Sequence, residues 1–351
     1  MNDRNNSPKI VVIGVGDGGT NTVDRMAETG VKGVQLVAVD TDRQALDTAR
    51  VQETIPIGQE ITGGTGTGGD VESGAEAARE AQRDFAELAQ DADMVFLTSG
   101  FGGGTGTGAT PVIASTIAEM NVLTVGVITT PFPFEGAFRR ERADRGIVEL
   151  EKHLDALIVV SNAKLLENLP QDISIMQAFR TADDVLQRGV QAISDLITYP
   201  GLINLDLADV RNVLKGVGKA IIGIGQGQGS EKTLDAAKAA SSNPLLEEGS
   251  IKGARRLILN ITGGEDLTLT EVKVAAELVK NATGVETNMI LGAVVKEDMD
   301  ESVQVTVIAT DFHEGISEEE MEPDLAEEAV DVADMNVPAF IRKRQQEGDT
   351  D

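Results

Sequence analysis

Seven successive residues, Gly102-Gly103-Gly104-Thr105-Gly106-Thr107-Gly108, carry no bulky side chain. They present bare backbone N–H groups and two hydroxyls, which is what a chain needs to wrap a phosphate. An apolar run at 94–97 precedes them and a helical pattern at 111–120 follows. Strand, glycine loop and helix start together make an anion site, because the first N–H groups of a helix are unpaired. Two further clusters repeat the theme. Gly14, Gly16 and Gly19 fit G-x-G-x-x-G between a strand and a helix, and Gly63-Gly64-Thr65-Gly66-Thr67-Gly68-Gly69-Asp70 forms a third loop.

The first cluster has a rival meaning. Asp40 and Asp42 stand roughly 20 residues beyond it, where a dinucleotide site places its ribose-binding acid. A nicotinamide- or flavin-dependent oxidoreductase is therefore a competing class. Against it, a dinucleotide fold needs one such turn and this chain has three. Nothing in its second half resembles a hydride-transfer site. A P-loop NTPase fails on its motif, since no Lys follows any of these loops. Tight turns alone would explain any one loop well and all three poorly. A stack of glycine loops at strand ends suits a ligand with several phosphates, held by backbone N–H, Thr hydroxyls and Mg²⁺.

A second candidate lies at Gly201-Leu202-Ile203-Asn204-Leu205-Asp206-Leu207-Ala208-Asp209-Val210. Asp206 and Asp209 are three apart and share a face on a helical turn. Two carboxylates there could orient or activate a water. Capping of the helix at 208–215 by Asp206 is the simpler account of the same spacing. The pair also lies far in sequence from the phosphate loops, which is awkward for a monomeric enzyme.

Composition narrows the classes. The net charge of −28 repels nucleic acid and anionic membrane. It serves solubility, or a salt-rich cytoplasm that screens it. The chain has no Cys, which excludes disulfides and zinc–thiolate sites. Its two histidines, His153 and His313, are far apart, so a histidine triad or metal site is not expected. The first nine residues carry no signal pattern, and no apolar run approaches the roughly 18 residues of a membrane span. A soluble cytoplasmic protein without membrane insertion is expected.

The elements that must position these groups follow from patterning. Short apolar runs at 9–15, 34–39, 94–98, 123–128 and 156–160 alternate with helical stretches, the first at 20–29. This predicts a parallel sheet covered on both faces. Ile175, Phe179, Ala182, Leu186, Val190, Ile193 and Ile197 keep helical spacing over about seven turns. One long helix between two domains is expected, stopped by Pro200 and Gly201. Strands at 220–224, 257–261, 289–295 and 303–309, with helices at 233–240 and 269–280, predict a smaller α+β domain with a mixed or antiparallel sheet. Residues 313–333 hold nine acids and no Lys or Arg, a disordered linker by composition. The segment 334–344 then joins apolar residues to a basic cluster, as a docking peptide does.

These motifs together resemble the FtsZ family, the bacterial and archaeal relatives of tubulin. Residues 102–108 read GGGTGTG, the family signature. Residues 201–210 read GLINLDLADV, its synergy loop. Pro131-Phe132-Pro133-Phe134-Glu135-Gly136 with Arg139 matches PFxFEGxxR, and 334–344 is similar to its adaptor-binding tail. The resemblance spans about residues 8–312 plus that tail.

It implies an assembly-dependent GTPase that polymerises head to tail with copies of itself. The synergy loop of one subunit completes the nucleotide site of the next. Asp206 and Asp209, with Asn204, would then polarise the water attacking a neighbour's γ-phosphate. By position, Gly18, Gly19 and Asn21 would contact phosphates, and Thr67, Gly68 and Gly69 would embrace the γ-phosphate. Gly104, Thr105, Gly106 and Thr107 would hold the α- and β-phosphates. Glu135 and Arg139 would bind ribose and phosphate, and Asn162, Phe179 and Asp183 the base. A carboxylate at 183 accepts both N1–H and N2–H₂ of guanine, a donor pair adenine lacks. Phe179, four residues away on the same face, would stack on the ring.

The implied organisation is a disordered 1–8, a GTP-binding domain 9–172, a central helix 173–200, a synergy loop with its helix 201–216, an α+β domain 217–312, a linker 313–333 and a tail peptide 334–346. The cofactors implied are GTP/GDP and Mg²⁺. The tail would dock membrane-tethered division adaptors through Val337, Pro338, Phe340 and Ile341, at a mid-cell ring. A tubulin-like cytoskeletal paralogue without a division role is the alternative within this resemblance. The chain also departs from the pattern. Asp17 and Thr20 stand where the family usually has Gly, Asp40 where it has Asn, and Ala163 where it has Asp. Two added carboxylates beside a polyphosphate predict an unusual dependence on Mg²⁺ or salt.

Overall fold

The structure, a computed structural model, describes residues 8–312 except 32, 168, 171, 199–200, 204, 243–249, 297–298 and 300. Asn204, Pro200, the linker 313–333, the tail 334–346 and residues 1–7 of the expected N-terminal segment lie outside the described residues.

The chain runs β1 (Ile10–Val15), α1 (Gly16–Thr29), β2 (Val34–Asp40), α2 (Arg43–Thr48), β3 (Glu53–Pro56), α3 (Gln59–Thr62), α4 (Val71–Glu80), α5 (Gln82–Ala89), β4 (Met94–Gly100), α6 (Thr105–Ala118), β5 (Leu123–Thr130), α7 (Ala137–Glu151), β6 (Ala156–Ser161), α8 (Asn162–Glu167) and α9 (Ile175–Thr198). It continues through α10 (Leu207–Leu214), β7 (Gly218–Gln228), α11 (Lys232–Ser241), β8 (Ala254–Gly263), α12 (Leu269–Thr283), β9 (Asn288–Val295) and β10 (Ser302–Phe312).

Strands β1 to β6 are all parallel, in the order β3-β2-β1-β4-β5-β6. Their continuous apolar runs reflect burial on both faces, as the patterning predicts. Alternate residues divide between two cores. Ile10, Val12, Met94 and Phe96 pack with α1, α9 and α10 on one side. Val11, Ile13, Val95 and Leu97 pack with α4, α5 and α6 on the other. The sheet then continues. β7 pairs with β6 only at Gly218 and Lys219, and leaves to run antiparallel to β10. β10 is antiparallel to β8, and β8 is parallel to β9, which makes the mixed sheet expected.

Helix α9 is the expected spine. It starts at a reciprocal cap in which Gln177 N–H donates to Ser174 Oγ (3.2 Å) and Ser174 N–H to Gln177 Oε1 (3.3 Å). Leu186, Val190 and Ile193 join one core that reaches Ile258 of β8 and Ile308 of β10. Ile175 and Phe179, from the same apolar stripe, are exposed instead. Two helix starts differ from expectation. α1 begins at Gly16 rather than 20, and α6 at Thr105 rather than 111. Gly and Thr are poor helix formers, so their intrinsic preference hides a first turn that tertiary packing imposes. No helix of the described residues is long and apolar enough to cross a membrane.

Phe96 is fully buried between the sheet and its α1–α9 cover. Phe96→Ala should lower the unfolding free energy by about 3–5 kcal/mol in urea titrations.

Candidate functional site

In the parallel sheet the strand order reverses between β1 and β4. A ligand crevice is expected outside the carboxyl ends of these strands. A cleft of about 540 Å³ lies there. Asp17, Gly18 and Asn21 of α1, Asp40 at the end of β2, Asp42 just after it, and residues 65–69 form one end. Residues 103–106 form the floor. Thr129, Thr130, Pro131, Glu135 and Arg139, then Asn162, Phe179, Ala182 and Asp183, form the other end. A cavity of about 620 Å³ beyond α6 is larger, but no glycine cradle converges on it.

Two helices open into the cleft without a side-chain cap: α1 behind Val15 and α6 behind Gly104. Helices α2, α4, α10 and α12 start under a side-chain cap instead, as at α4, where the Asp70 side chain accepts from Ser73 N–H (3.2 Å). The uncapped N–H groups and positive dipole ends of α1 and α6 therefore face a common space. Gly68 adds a left-handed turn (φ 61°) with nothing within 4 Å of where a Cβ would stand.

Hydroxyls lock the loops to one another. The Thr41 and Thr105 hydroxyls share a buried bond of 2.7 Å. Gly66 N–H and Thr62 Oγ1 both donate to Thr41 O at 3.3 Å. Ser99 Oγ donates to Val15 O (2.8 Å), tying β4 to the start of α1.

At the far end Phe132 and Phe134 stack with centroids 5.1 Å apart, and Phe179 meets Phe132 edge-on at 5.2 Å. Glu135 accepts from Phe132 N–H (2.9 Å) and pairs with Arg139 (2.6 Å). Burial pushes the Asp183 carboxyl up to about 7, opposed by Arg25 and reinforced by Asp184. Asn162 is buried and its Oδ1 has no partner. Asp40, only 2% exposed, likewise leaves Oδ2 unpartnered, and burial raises its carboxyl to about 6. Buried polar atoms of this kind call for a ligand or water.

Every residue expected at the nucleotide lines this cleft except Gly19 and Thr107. Gly19 lies against the backbone of Gly14 and Thr98, where a Cβ would collide with Thr98 O. Its smallness lets α1 seat on β4. Thr107 turns away, and its hydroxyl accepts from Gly102 N–H (2.8 Å) to staple the loop. Thr129, Thr130 and Pro131 line the cleft and were not anticipated, although strand carboxyl ends are where such residues belong. Thr41 was also missed, because a supporting hydroxyl has no sequence signature.

Asp206 and Asp209 do not reach this cleft. They cap α10 reciprocally: Asp209 N–H donates to Asp206 Oδ1 (2.9 Å) and Asp206 N–H to Asp209 Oδ2 (3.2 Å). Leu202 beside them is 79% exposed, and Ile203 is bridged to Ala293 of β9.

Two family models match the chain: the GTPase domain of the tubulin/FtsZ family over residues 9–170, and the FtsZ family C-terminal domain over 218–313. Solved structures match along most of its length. An empty FtsZ dimer from M. jannaschii is 38% identical, covering 88% of this chain and 89% of that one, with a TM-score of 0.82. A GTPγS-bound protofilament of CetZ2 from Haloferax volcanii is 24% identical over 89% of this chain and 96% of that one, at 0.72. A GDP-bound CetZ1 monomer from the same organism is 23% identical over 86% and 93%, at 0.73. The CetZ likenesses bear on the fold alone.

Gly19→Ala should destabilise the fold by about 1–3 kcal/mol, because backbone must move to admit the methyl group. Gly103 lines the cleft with nothing within 4 Å of a Cβ, so Gly103→Ala should stay within about 0.5 kcal/mol of wild type. Chemical denaturation of the two variants checks this contrast.

Proposed function

The chain belongs to the FtsZ family and is a GTPase, and from that premise we propose that GTP occupies the glycine-walled cleft and is hydrolysed at the junction between two copies. The observation that carries this reading is the convergence of two uncapped helix N-termini and three glycine-rich stretches on one crevice. Residues 65–69 and 103–106, with Gly18 and Asn21, hold the phosphates. Glu135 and Arg139 serve the ribose end, and Asn162, Phe179 and Asp183 the guanine.

Backbone N–H groups replace the P-loop lysine. They stabilise the charge that builds on the γ-phosphate as water attacks it directly, with no covalent intermediate. The water is primed by Asp206 and Asp209 of the next subunit, with Asn204 beside them. Support comes from their place at the start of α10, outside the cleft and just after exposed Leu202. The capping box holds the two carboxylates at a fixed separation, so capping and catalysis are compatible roles. The M. jannaschii FtsZ relative is a dimer, consistent with self-association.

Among the described residues no three His, Cys, Asp or Glu side chains converge as a metal cage. Mg²⁺ would therefore ride on the phosphates and waters, with the exposed Asp17 of the cleft wall beside it. When bound it would neutralise phosphate charge. In the cell the polymer scaffolds the division ring, tethered by adaptors that bind Val337, Pro338, Phe340 and Ile341. The match to the FtsZ family C-terminal domain supports this role over that of a tubulin-like paralogue without a division role.

Asp209→Asn keeps an oxygen that can accept from Asp206 N–H, so the helix cap survives. The variant should bind GTP and assemble while turnover falls about 10²-fold or more. Turnover in the wild type should rise from a threshold protein concentration; a rate per subunit constant down to high dilution defeats the shared-site reading. Metal chelation at low salt should weaken GTP binding more than tenfold, since like charges 4 Å apart cost about 4 kcal/mol at an effective dielectric of 20. Equal affinity with and without metal rejects that dependence.

A further inference from the structure

Asp40 ends β2 inside the cleft wall. One carboxyl oxygen is used: Oδ1 accepts from Asp42 N–H at 3.1 Å. The other, Oδ2, is buried and has no partner. The charges acting on this group are Asp17 from α1 and Asp42 from the turn after β2, both negative. The remaining charged residues of the cleft are Glu135 and Arg139, paired with each other, and Asp183 at the guanine end. The described residues that line the cleft thus offer an ionised Asp40 no unpaired cationic side chain when a triphosphate enters. Its neighbour Thr41 is bonded to Thr105, the first residue of α6, so the group sits beside the expected phosphate cradle.

We propose that Asp40 binds the nucleotide as a neutral acid: Oδ2 takes one proton from solvent as GTP enters and donates it in a hydrogen bond to a phosphate oxygen. The proton ends on Asp40, and no bond of the nucleotide is made or broken. This rests on the reading that GTP occupies the cleft. A buried carboxyl oxygen without a partner is costly as an acceptor and is satisfied as an O–H donor. Burial, with Asp17 and Asp42, lifts its affinity for protons against the backbone N–H groups of Asp42 and Thr41, which favour the charged form, and a phosphate would lift it further. The exposed Asp17 is the carboxylate that a cation can screen.

The sign is opposite at the other end of the cleft. Asp183, raised to about 7, must be ionised to accept the guanine donors, so it releases protons on binding below that pH. The two effects separate by difference. Calorimetric titration of the full chain with GTP and Mg²⁺ at pH 7.5, in buffers of different ionisation enthalpy, counts protons per nucleotide. Wild type should take up about one proton more than Asp40→Asn, whose amide donates without a proton. Its affinity should fall, relative to the variant, by up to about tenfold per pH unit above 6.5. Infrared difference spectra of wild type should gain a protonated-carboxyl band on adding GTP, a readout that needs no variant. GTP binding with equal proton counts in both proteins, or without that band, overturns the role of Asp40 alone. Failure of wild type to bind GTP overturns the reading of the cleft and this role with it.

Discussion

An anion held by backbone N–H groups can be held only where the backbone is fixed. Side-chain cations reach and adjust, whereas helix ends and glycine turns must already point the right way. Everything around the cleft answers that demand. β1, β4 and β5, buried almost throughout, set the loop origins. Hydroxyls then fasten these origins, Thr41 after β2 to Thr105 at the start of α6, and Ser99 of β4 to Val15 O at the end of β1. The low demand for lysine follows, and so does the tolerance of acid. Among the described residues that line the cleft, Arg139 is the one arginine and is engaged by Glu135, while four aspartates share the wall with it. Ordered dipoles in a protected crevice can outweigh such charges in a way that solvated groups cannot.

Much of this was legible in the residues. The parallel sheet, the long helix, the mixed second sheet and the position of the cleft follow from apolar runs and glycine clusters. Illegible parts share a physical cause. The starts of α1 and α6 are made of Gly and Thr, which deny the helix by propensity and accept it only when packed. A bare glycine looks alike in sequence whether it admits a ligand or a neighbouring strand, and only the structure shows that a Cβ at Gly19 would meet Thr98 O. Thr107 is the same ambiguity in a hydroxyl, resolved by Gly102 N–H. The stretch between β2 and β4 holds short helices and a short strand whose apolar faces are too brief to give a period. Asp206 and Asp209 showed capping and catalytic spacing at once, and the capping is real.

On the proposed reading, that spacing would serve twice, which bears on how a site shared between copies would be divided. A carboxylate that must be presented to another molecule gains from being held by its own backbone, since free rotamers would be lost on docking. The reciprocal cap at the start of α10 supplies that order before any partner arrives. It also leaves each carboxylate partly engaged, Asp206 as acceptor from Asp209 N–H and the reverse. Their remaining lone pairs are what a neighbour's water would meet. The bridge of Ile203 to Ala293 ties the same loop to the second sheet, so the presentation is anchored at two points.

The acids of the cleft separate by solvent access rather than by sequence. Asp17 faces water and keeps its charge available to counter-ions, so its cost to a phosphate is set by ionic conditions. Asp40 is sealed in, where screening does not reach and the local balance of charge and hydrogen bonds decides its state. On the proposed readings, two added carboxylates would give the nucleotide site two separate controls, one by dissolved cations and one by protons. A chain carrying a net charge of −28 places that second control where its crowded surface charge is least able to interfere.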